Sequence, residues 1–493
     1  MDITWMSTLL LALIISAILY SSWNAMYRRR DLPPGPTPLP IVGNVLQIRR
    51  GKLVQSLMEF AGKYGSVYTV YFGHNPIVVL SGYETVKEAL LDWGEEFGGR
   101  GRSPAFDDFF KGHGLVFSNG ERWKDLRRFS LTTLRNFGMG KKSIEERIQE
   151  EAGFLVAEIK SLKEKSIDPS NLLYQAVSNV ICSVVFGNRF EYDNQNFLQL
   201  LSLFGATFKD LSCPWGQLQE MLPEIMYYIP APHQRINRHL DKLTNFILER
   251  VKINQETLDP NCPRDYIDCF LVKQQQEKGN PHFDSRNMIV TILNLFFGGT
   301  ETVSSTLRNA FLILMRYPEI QDKVCEEINR VIGQNRIPNS EDRSKMPYTD
   351  AVIHEVQRFT DLFPADVAHL VTKEINFKGY TIPKGTDVYP LLCTVHRDPK
   401  MFITPTKFNP NHFLDSNGCF KKNEAYMPFS AGKRICVGEA LARMELFLYI
   451  TTILQNFKLT SKTKFTDEDI KPTMTGSANV PRFYEMSFIS RAL

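Results

Sequence analysis

Cys436 lies on a glycine-bounded loop, Phe429-Ser430-Ala431-Gly432-Lys433-Arg434-Ile435-Cys436-Val437-Gly438, with an arginine two residues before it. Residues 439–446 (Glu-Ala-Leu-Ala-Arg-Met-Glu-Leu) are strong helix formers with apolar spacing. A thiol just ahead of a helix N-terminus feels the positive end of the peptide dipoles, which favours the thiolate, the form that binds metals. Gly432 and Gly438 omit side chains where backbone must lie close to something flat, Arg434 offers a forked donor suited to a carboxylate, and Phe429 can pack over the loop. The plainer reading is a buried structural cysteine before a surface helix.

A second constellation is Gly298-Gly299-Thr300-Glu301-Thr302, midway along an apolar stretch that Asp284 or Ser285 can cap and Pro318 ends. Adjacent glycines each weaken a helix interior by about 1 kcal/mol relative to alanine. They serve either close helix packing or space for a small ligand, beside a hydroxyl and a carboxyl able to deliver protons. Glu355 and Arg358 stand at i and i+3, where opposite charges face one another on a helix. Trp123 and Arg127 place an indole donor and a guanidinium one turn apart, both within reach of one carboxylate.

The elements that must position these groups are mostly helical. From about residue 84 to 360 the pattern is that of helices. A hairpin is predicted at 67–72 and 77–80, and short strands at 375–377, 380–382 and 388–391. The expected fold is mainly α, one large body with a small β region assembled from distant segments. The chain has 493 residues, 43% hydrophobic and 23% charged, with a net charge of +4, which argues against nucleic acid as a partner. Its eight cysteines contain no Cys-x-x-Cys pair, so neither a zinc site nor a dense disulfide framework is indicated.

Residues 3–23 are largely apolar, and about twenty helical residues rise roughly 30 Å, the thickness of a bilayer's hydrocarbon core. A cleaved signal peptide is the alternative, but Asp2 is acidic where such a peptide is basic. Arg28-Arg29-Arg30 follows and places the body in the cytosol by the positive-inside rule. The prolines and glycine of residues 33–40 then form a stiff spacer, or a proline-rich partner ligand. The predicted organisation is an anchor at 1–25, a basic and proline-rich linker at 26–50 and a catalytic domain at 51–493.

Phe-x-x-Gly-x-Arg-x-Cys-x-Gly resembles the haem-binding loop of the cytochrome P-450 family, and the other landmarks follow in that family's order over residues 30–493, closest to its vertebrate microsomal drug- and lipid-oxidising subgroup. The resemblance implies haem b with Cys436 as the thiolate ligand to iron, and dioxygen as co-substrate. It implies haem contacts from Phe429, Gly438, Gly298 and Gly299, and propionate contacts from Trp123, Arg127, Arg100, His369 and Arg434. Thr302 and Glu301 would deliver protons, with Val303 standing where a second hydroxyl is often found. Glu355 and Arg358 would form a structural core pair, joined here by His412 in place of the family's arginine. Phe106, Phe109, Phe110, Phe117, Leu201, Phe204, Phe208, Phe296, Phe297, Leu362, Phe363, Val367 and Ala478 resemble its pocket segments, and their apolar character implies lipophilic substrates: drugs, steroids or fatty acids. Asp366, an acid within these segments, either points outward or accepts a backbone donor, or else faces the cavity as a site for cations.

The family resemblance further implies a monooxygenase in the endoplasmic reticulum membrane. With no nicotinamide or flavin motif in the chain, NADPH-derived electrons would come from a separate flavoprotein reductase, with cytochrome b5 as a second candidate donor. Arg122, Lys124, Arg128, Arg135, Lys141, Lys142, Lys421, Lys422 and Lys433 could form the docking face, or a plainly solvated surface. A haem-thiolate isomerase or dehydratase and a non-enzymatic haem sensor are the rival readings.

Overall fold

The computed structural model describes residues 2–27, 32–136, 143–471, 473–475 and 478–491. Arg28, Arg29, Arg30, Lys141 and Lys142 lie outside the described residues. Asp2–Tyr27 is a helix of 26 residues whose apolar side chains from Leu9 to Tyr20 are exposed. Among the described residues no helix is long and apolar enough to cross a membrane.

The body is mainly helical around the helix Ser285–Arg316, whose 32 residues span about 48 Å. Its sequence is apolar nearly all round because it is buried nearly all round. It packs against Ser170–Val185, Arg235–Glu256, Pro347–Thr360 and Glu439–Asn456. Asp284, not Ser285, is its N-cap, accepting from Asn287 N at 2.6 Å.

Strands β1 (Val67–Phe72), β2 (Asn75–Leu80), β3 (Gly99–Arg100), β4 (His369–Leu370), β5 (Ile375–Phe377), β6 (Tyr380–Ile382) and β7 (Asp387–Pro390) form the small β region. The five-stranded sheet has the order β1-β2-β7-β4-β3, and β5 and β6 pair separately as a hairpin. Arg100 and His369, far apart in sequence, are cross-strand partners in the β3–β4 ladder. The pairing of β8 (Phe457–Thr460) with the terminal strand Ser487–Ser490 has no signal in the sequence pattern read above.

The Glu355–Arg358 pair is wholly buried, with Arg358 Nη2 donating to Glu355 Oε1 at 2.6 Å and Nε to Oε2 at 2.7 Å. The remaining donors of Arg358 reach the carbonyls of His396 and Pro405 at 2.8 Å and of Lys407 at 3.1 Å. His412 Nδ1 lies 3.1 Å from Glu355 Oε2, and Asn409 N donates to Glu355 Oε1 at 2.8 Å. This cluster pins the loop leading to Cys436 onto the helix Pro347–Thr360. Glu355→Gln would leave a buried cation without its counter-charge and is expected to lower stability by about 3–5 kcal/mol. His412→Ala, which removes only the ring, is expected to cost about 1 kcal/mol. Denaturant unfolding checks both, and a Glu355→Gln midpoint equal to wild type would contradict the role.

Candidate functional site

Cys436 N donates to Phe429 O at 2.9 Å, closing the loop, and Gly438 is the N-cap of the helix Glu439–Asn456. Cys436 keeps accessible surface although protein surrounds it, as expected for a group on the wall of a cleft. Burial pushes its thiol up, against the Gly438 N–H and the positive charge of Arg127, which pull it down. Gly432, at φ +70°, approaches protein: a Cβ there would fall 1.9 Å from Leu90 O. At Gly438 the nearest atom to such a Cβ is Cys436 Sγ, 3.8 Å away.

Around this loop gather Arg100, Arg127, Arg434 and His369. Arg434 donates from Nε to Gly98 O at 2.8 Å and from Nη2 to Ser118 O and Asn119 Oδ1 at 2.9 and 2.8 Å. Its guanidinium lies 4.0 Å over the Trp123 ring, and that of Arg127 5.7 Å from the same ring. Arg127 Nη2 donates to Ile435 O at 2.6 Å, and Arg100 Nη1 to Val367 O at 2.8 Å. His369 Nδ1 lies 2.8 Å from Phe97 O. Arg434 Nη1 and His369 Nε2 are buried with no protein hydrogen-bond partner. Burial, then repulsion from Arg100 and Arg127, pushes Arg434 down to about 8, and burial pushes Arg100 down to about 10. Because a guanidinium gives up its proton so reluctantly, this pull expresses first the cost of burying cations and then that of crowding them, which a bound dianion would offset.

The two adjacent glycines have different roles. A Cβ on Gly299 would fall 2.3 Å from Ile181 Cδ1, so Gly299 serves helix packing, whereas one on Gly298 would meet nothing within 4 Å. Thr302 Oγ1 donates to Gly298 O at 2.6 Å. Glu301 runs along the helix and accepts from Ser305 Oγ at 3.0 Å. Burial raises the Glu301 carboxyl above its ordinary range, against the Ser305 bond and the charge of Arg308.

Phe106 stacks on Phe110 (5.1 Å between ring centres), both pack on Phe117 at 5.5 Å, and Phe297 bridges Phe106 to Phe204 at 6.1 and 4.8 Å. Phe296 is 1% exposed and lies between Phe186 and Phe204. Phe208 is half-buried and stands outside these ring pairs. Leu362 and Phe363 are half-buried, and Asn479 N donates to Leu362 O at 2.8 Å, drawing Ala478 to the same wall. Asp366 Oδ1 accepts from Val367 N at 2.7 Å and Oδ2 from Ser430 Oγ at 2.5 Å, the backbone donor expected of this acid.

Two positioning groups were missed by motif reading. Asn119 ties β3 to Arg434, accepting from Arg100 N at 2.7 Å as well. Asn294 accepts from Leu115 N and Val116 N at 3.0 Å and fastens the aromatic segment to the long helix. A polar residue breaking the apolar run of a buried helix was its one visible signal.

The family model of cytochrome P450 matches residues 33–488. The chain belongs to the cytochrome P450 family. It is 55% identical over 472 residues to cytochrome P450 2G1 of Rattus norvegicus, covering 95% of this chain and 96% of that one. It is 54% identical over 458 residues to cytochrome P450 2F2 of Mus musculus (92% and 93% covered), and 52% identical over 484 residues to cytochrome P450 2A13 of Homo sapiens (98% of both). As a P450 the chain is a haem-thiolate monooxygenase, an oxidoreductase that uses haem with a cysteine thiolate ligand and dioxygen. The residues present fit that group: a flat ring bearing two carboxylates needs cationic donors at its edge. Here a crowded arginine cluster with an unpartnered Nη1 on Arg434 could supply them, beside His369, whose Nε2 makes no hydrogen bond and lies 3.5 Å from Asp366 Oδ2.

Proposed function

We propose that this P450 is a membrane-anchored monooxygenase of lipophilic small molecules, fed by NADPH-derived electrons from a separate flavoprotein reductase, with cytochrome b5 as a further donor. Cys436 would hold the iron; Arg100, Trp123, Arg127, His369 and Arg434 would hold the carboxylates; Phe429, Gly438 and Gly298 would border the ring. When bound, haem with a thiolate ligand supplies activated dioxygen, because the thiolate pushes electron density that favours O–O cleavage. The observation carrying this reading is the buried pair Arg100 and Arg434, with Arg434 Nη1 unpartnered, set beside a cysteine that keeps open surface.

Around that centre the chain's own groups have separable tasks. The rings of Phe106, Phe110, Phe117, Phe204 and Phe297 exclude water and accept apolar molecules. The Thr302 hydroxyl, turned from Gly298 O, can hold a water, and the Glu301 carboxyl, whose burial favours its protonated form, can pass a proton to it. The chain would divide into an anchor at 1–25, a linker at 26–50 and a catalytic body at 51–493. Residues 3–23 would cross the endoplasmic reticulum membrane, supported by their apolar sequence, with the body in the cytosol.

Docking of the reductase is supported by exposed Arg135, Lys421 and Lys422, and by Lys124, Arg128 and Lys433, which pair with Glu121, Asp125 and Glu95 at 2.8, 2.6 and 2.6 Å. Such exposed pairs are worth about 0–1 kcal/mol and can exchange partners. Raising ionic strength from about 0.01 to 1 M shortens the Debye length from about 30 to 3 Å and is expected to slow electron transfer. Lys433→Glu is expected to raise the reductase concentration needed for half-maximal turnover without changing substrate binding. No effect in either titration would place docking elsewhere.

The decisive test is substrate-dependent NADPH consumption by the full chain reconstituted with reductase, over a panel of drugs, steroids and fatty acids. Consumption with oxygenated products supports the reading. Turnover without NADPH would favour an isomerase or dehydratase.

A further inference from the structure

Asp366 and Ser430 both hold a left-handed backbone, at φ +56° and +62°, a region that residues other than glycine seldom adopt. One belongs to the turn before β4, the other to the cysteine loop. Their side chains meet, with Ser430 Oγ donating to Asp366 Oδ2 at 2.5 Å. Strained residues persist where their surroundings over-determine them, and here each fixes the other. Ser430 follows Phe429, whose carbonyl accepts from Cys436 N, and Ser430 N donates to Met427 O at 3.0 Å. The Asp366 carboxylate therefore anchors the turn that sets where the cysteine stands. It also faces the cations: its Oδ2 is 3.5 Å from His369 Nε2, its side chain is 9% exposed, and its charge acts on Arg100.

We propose that Asp366 is a positioning residue for the cysteine ligand, acting by two separable means: a hydrogen bond that fixes the Ser430 turn, and a buried negative charge set among the arginines. This rests on the haem-thiolate reading given above. Its carboxyl is held below the usual range, where burial, which raises it, is outweighed by His369, Ser430 and Arg100, so the charge is present at neutral pH.

The two means separate by substitution. Asp366→Asn removes the charge but keeps an acceptor oxygen for Val367 N, and its amide NH2 can donate to Ser430 Oγ, so the link between the two turns survives with its direction reversed. An electron entering the centre then meets one negative charge fewer, so the ferric/ferrous potential is expected to move positive with the thiolate carbon monoxide band intact. Ser430→Ala removes the bond but keeps the charge. It is expected to convert the carbon monoxide complex from the thiolate form to the short-wavelength form about fivefold faster, the factor a single hydrogen bond typically carries, with the potential unmoved. Asp366→Ala is expected to do both. Spectroelectrochemical titration and the time course of band conversion, on the full holoenzyme, read the two effects. A wild-type potential in Asp366→Asn together with wild-type conversion in Ser430→Ala would overturn the proposal. A wild-type chain lacking the thiolate band would instead overturn the haem-thiolate reading on which it rests.

Discussion

Cys436→His is expected to abolish the long-wavelength carbon monoxide band of the reduced protein and, with it, all oxygenase activity. Imidazole is a neutral ligand and pushes far less electron density than a thiolate, so a histidine-ligated centre binds oxygen without favouring cleavage of its O–O bond. The substitution also tests the choice of cysteine. Cys182, Cys325 and Cys393 are buried, whereas Cys436 is exposed on its loop, so none of the three is placed to replace it. Retention of the band in Cys436→His would assign the iron to another cysteine.

Thr302→Ala is expected to preserve haem content and NADPH oxidation while product formation falls, the reducing equivalents leaving as hydrogen peroxide. Positioned proton transfer contributes typically about 10²–10⁴-fold, and loss of the hydroxyl removes the group that would hold the donating water. Thr302→Ser restores the hydroxyl and is expected to restore most of the coupling. Glu301→Gln is expected to slow product formation without raising peroxide as strongly, because Glu301 bonds Ser305 and lies one step further along the route. Product and peroxide measured together per NADPH consumed check this, and an alanine variant as well coupled as wild type would exclude Thr302 from proton delivery.

The elements that hold the candidate groups were legible because they are local. The cysteine loop, the cap at Asp284 and the i, i+3 pair Glu355–Arg358 depend on residues a few positions apart. What was hidden depends on contacts that no spacing encodes. Gly298 and Gly299 look alike in sequence, yet only the tertiary neighbour Ile181 shows that one is for packing. Gly432 needs its missing side chain because Leu90 O lies where a Cβ would stand, some 340 residues earlier in the chain, not because of a ligand. The helix behind Cys436 could be read from the sequence, but the hydrogen bond that Arg127 donates to Ile435 O beside it could not. Arg100 and His369 share a site because a two-residue ladder, too short for any periodicity, pairs them.

The central claim, insertion of one oxygen atom of dioxygen into an apolar molecule, is tested most directly by turnover under isotopically labelled dioxygen in ordinary water, in the presence of NADPH and reductase. The account predicts a product carrying one labelled oxygen atom, with the second atom recovered as water. A product whose new oxygen comes unlabelled from solvent, or an isomerised product with no new oxygen at all, would contradict it.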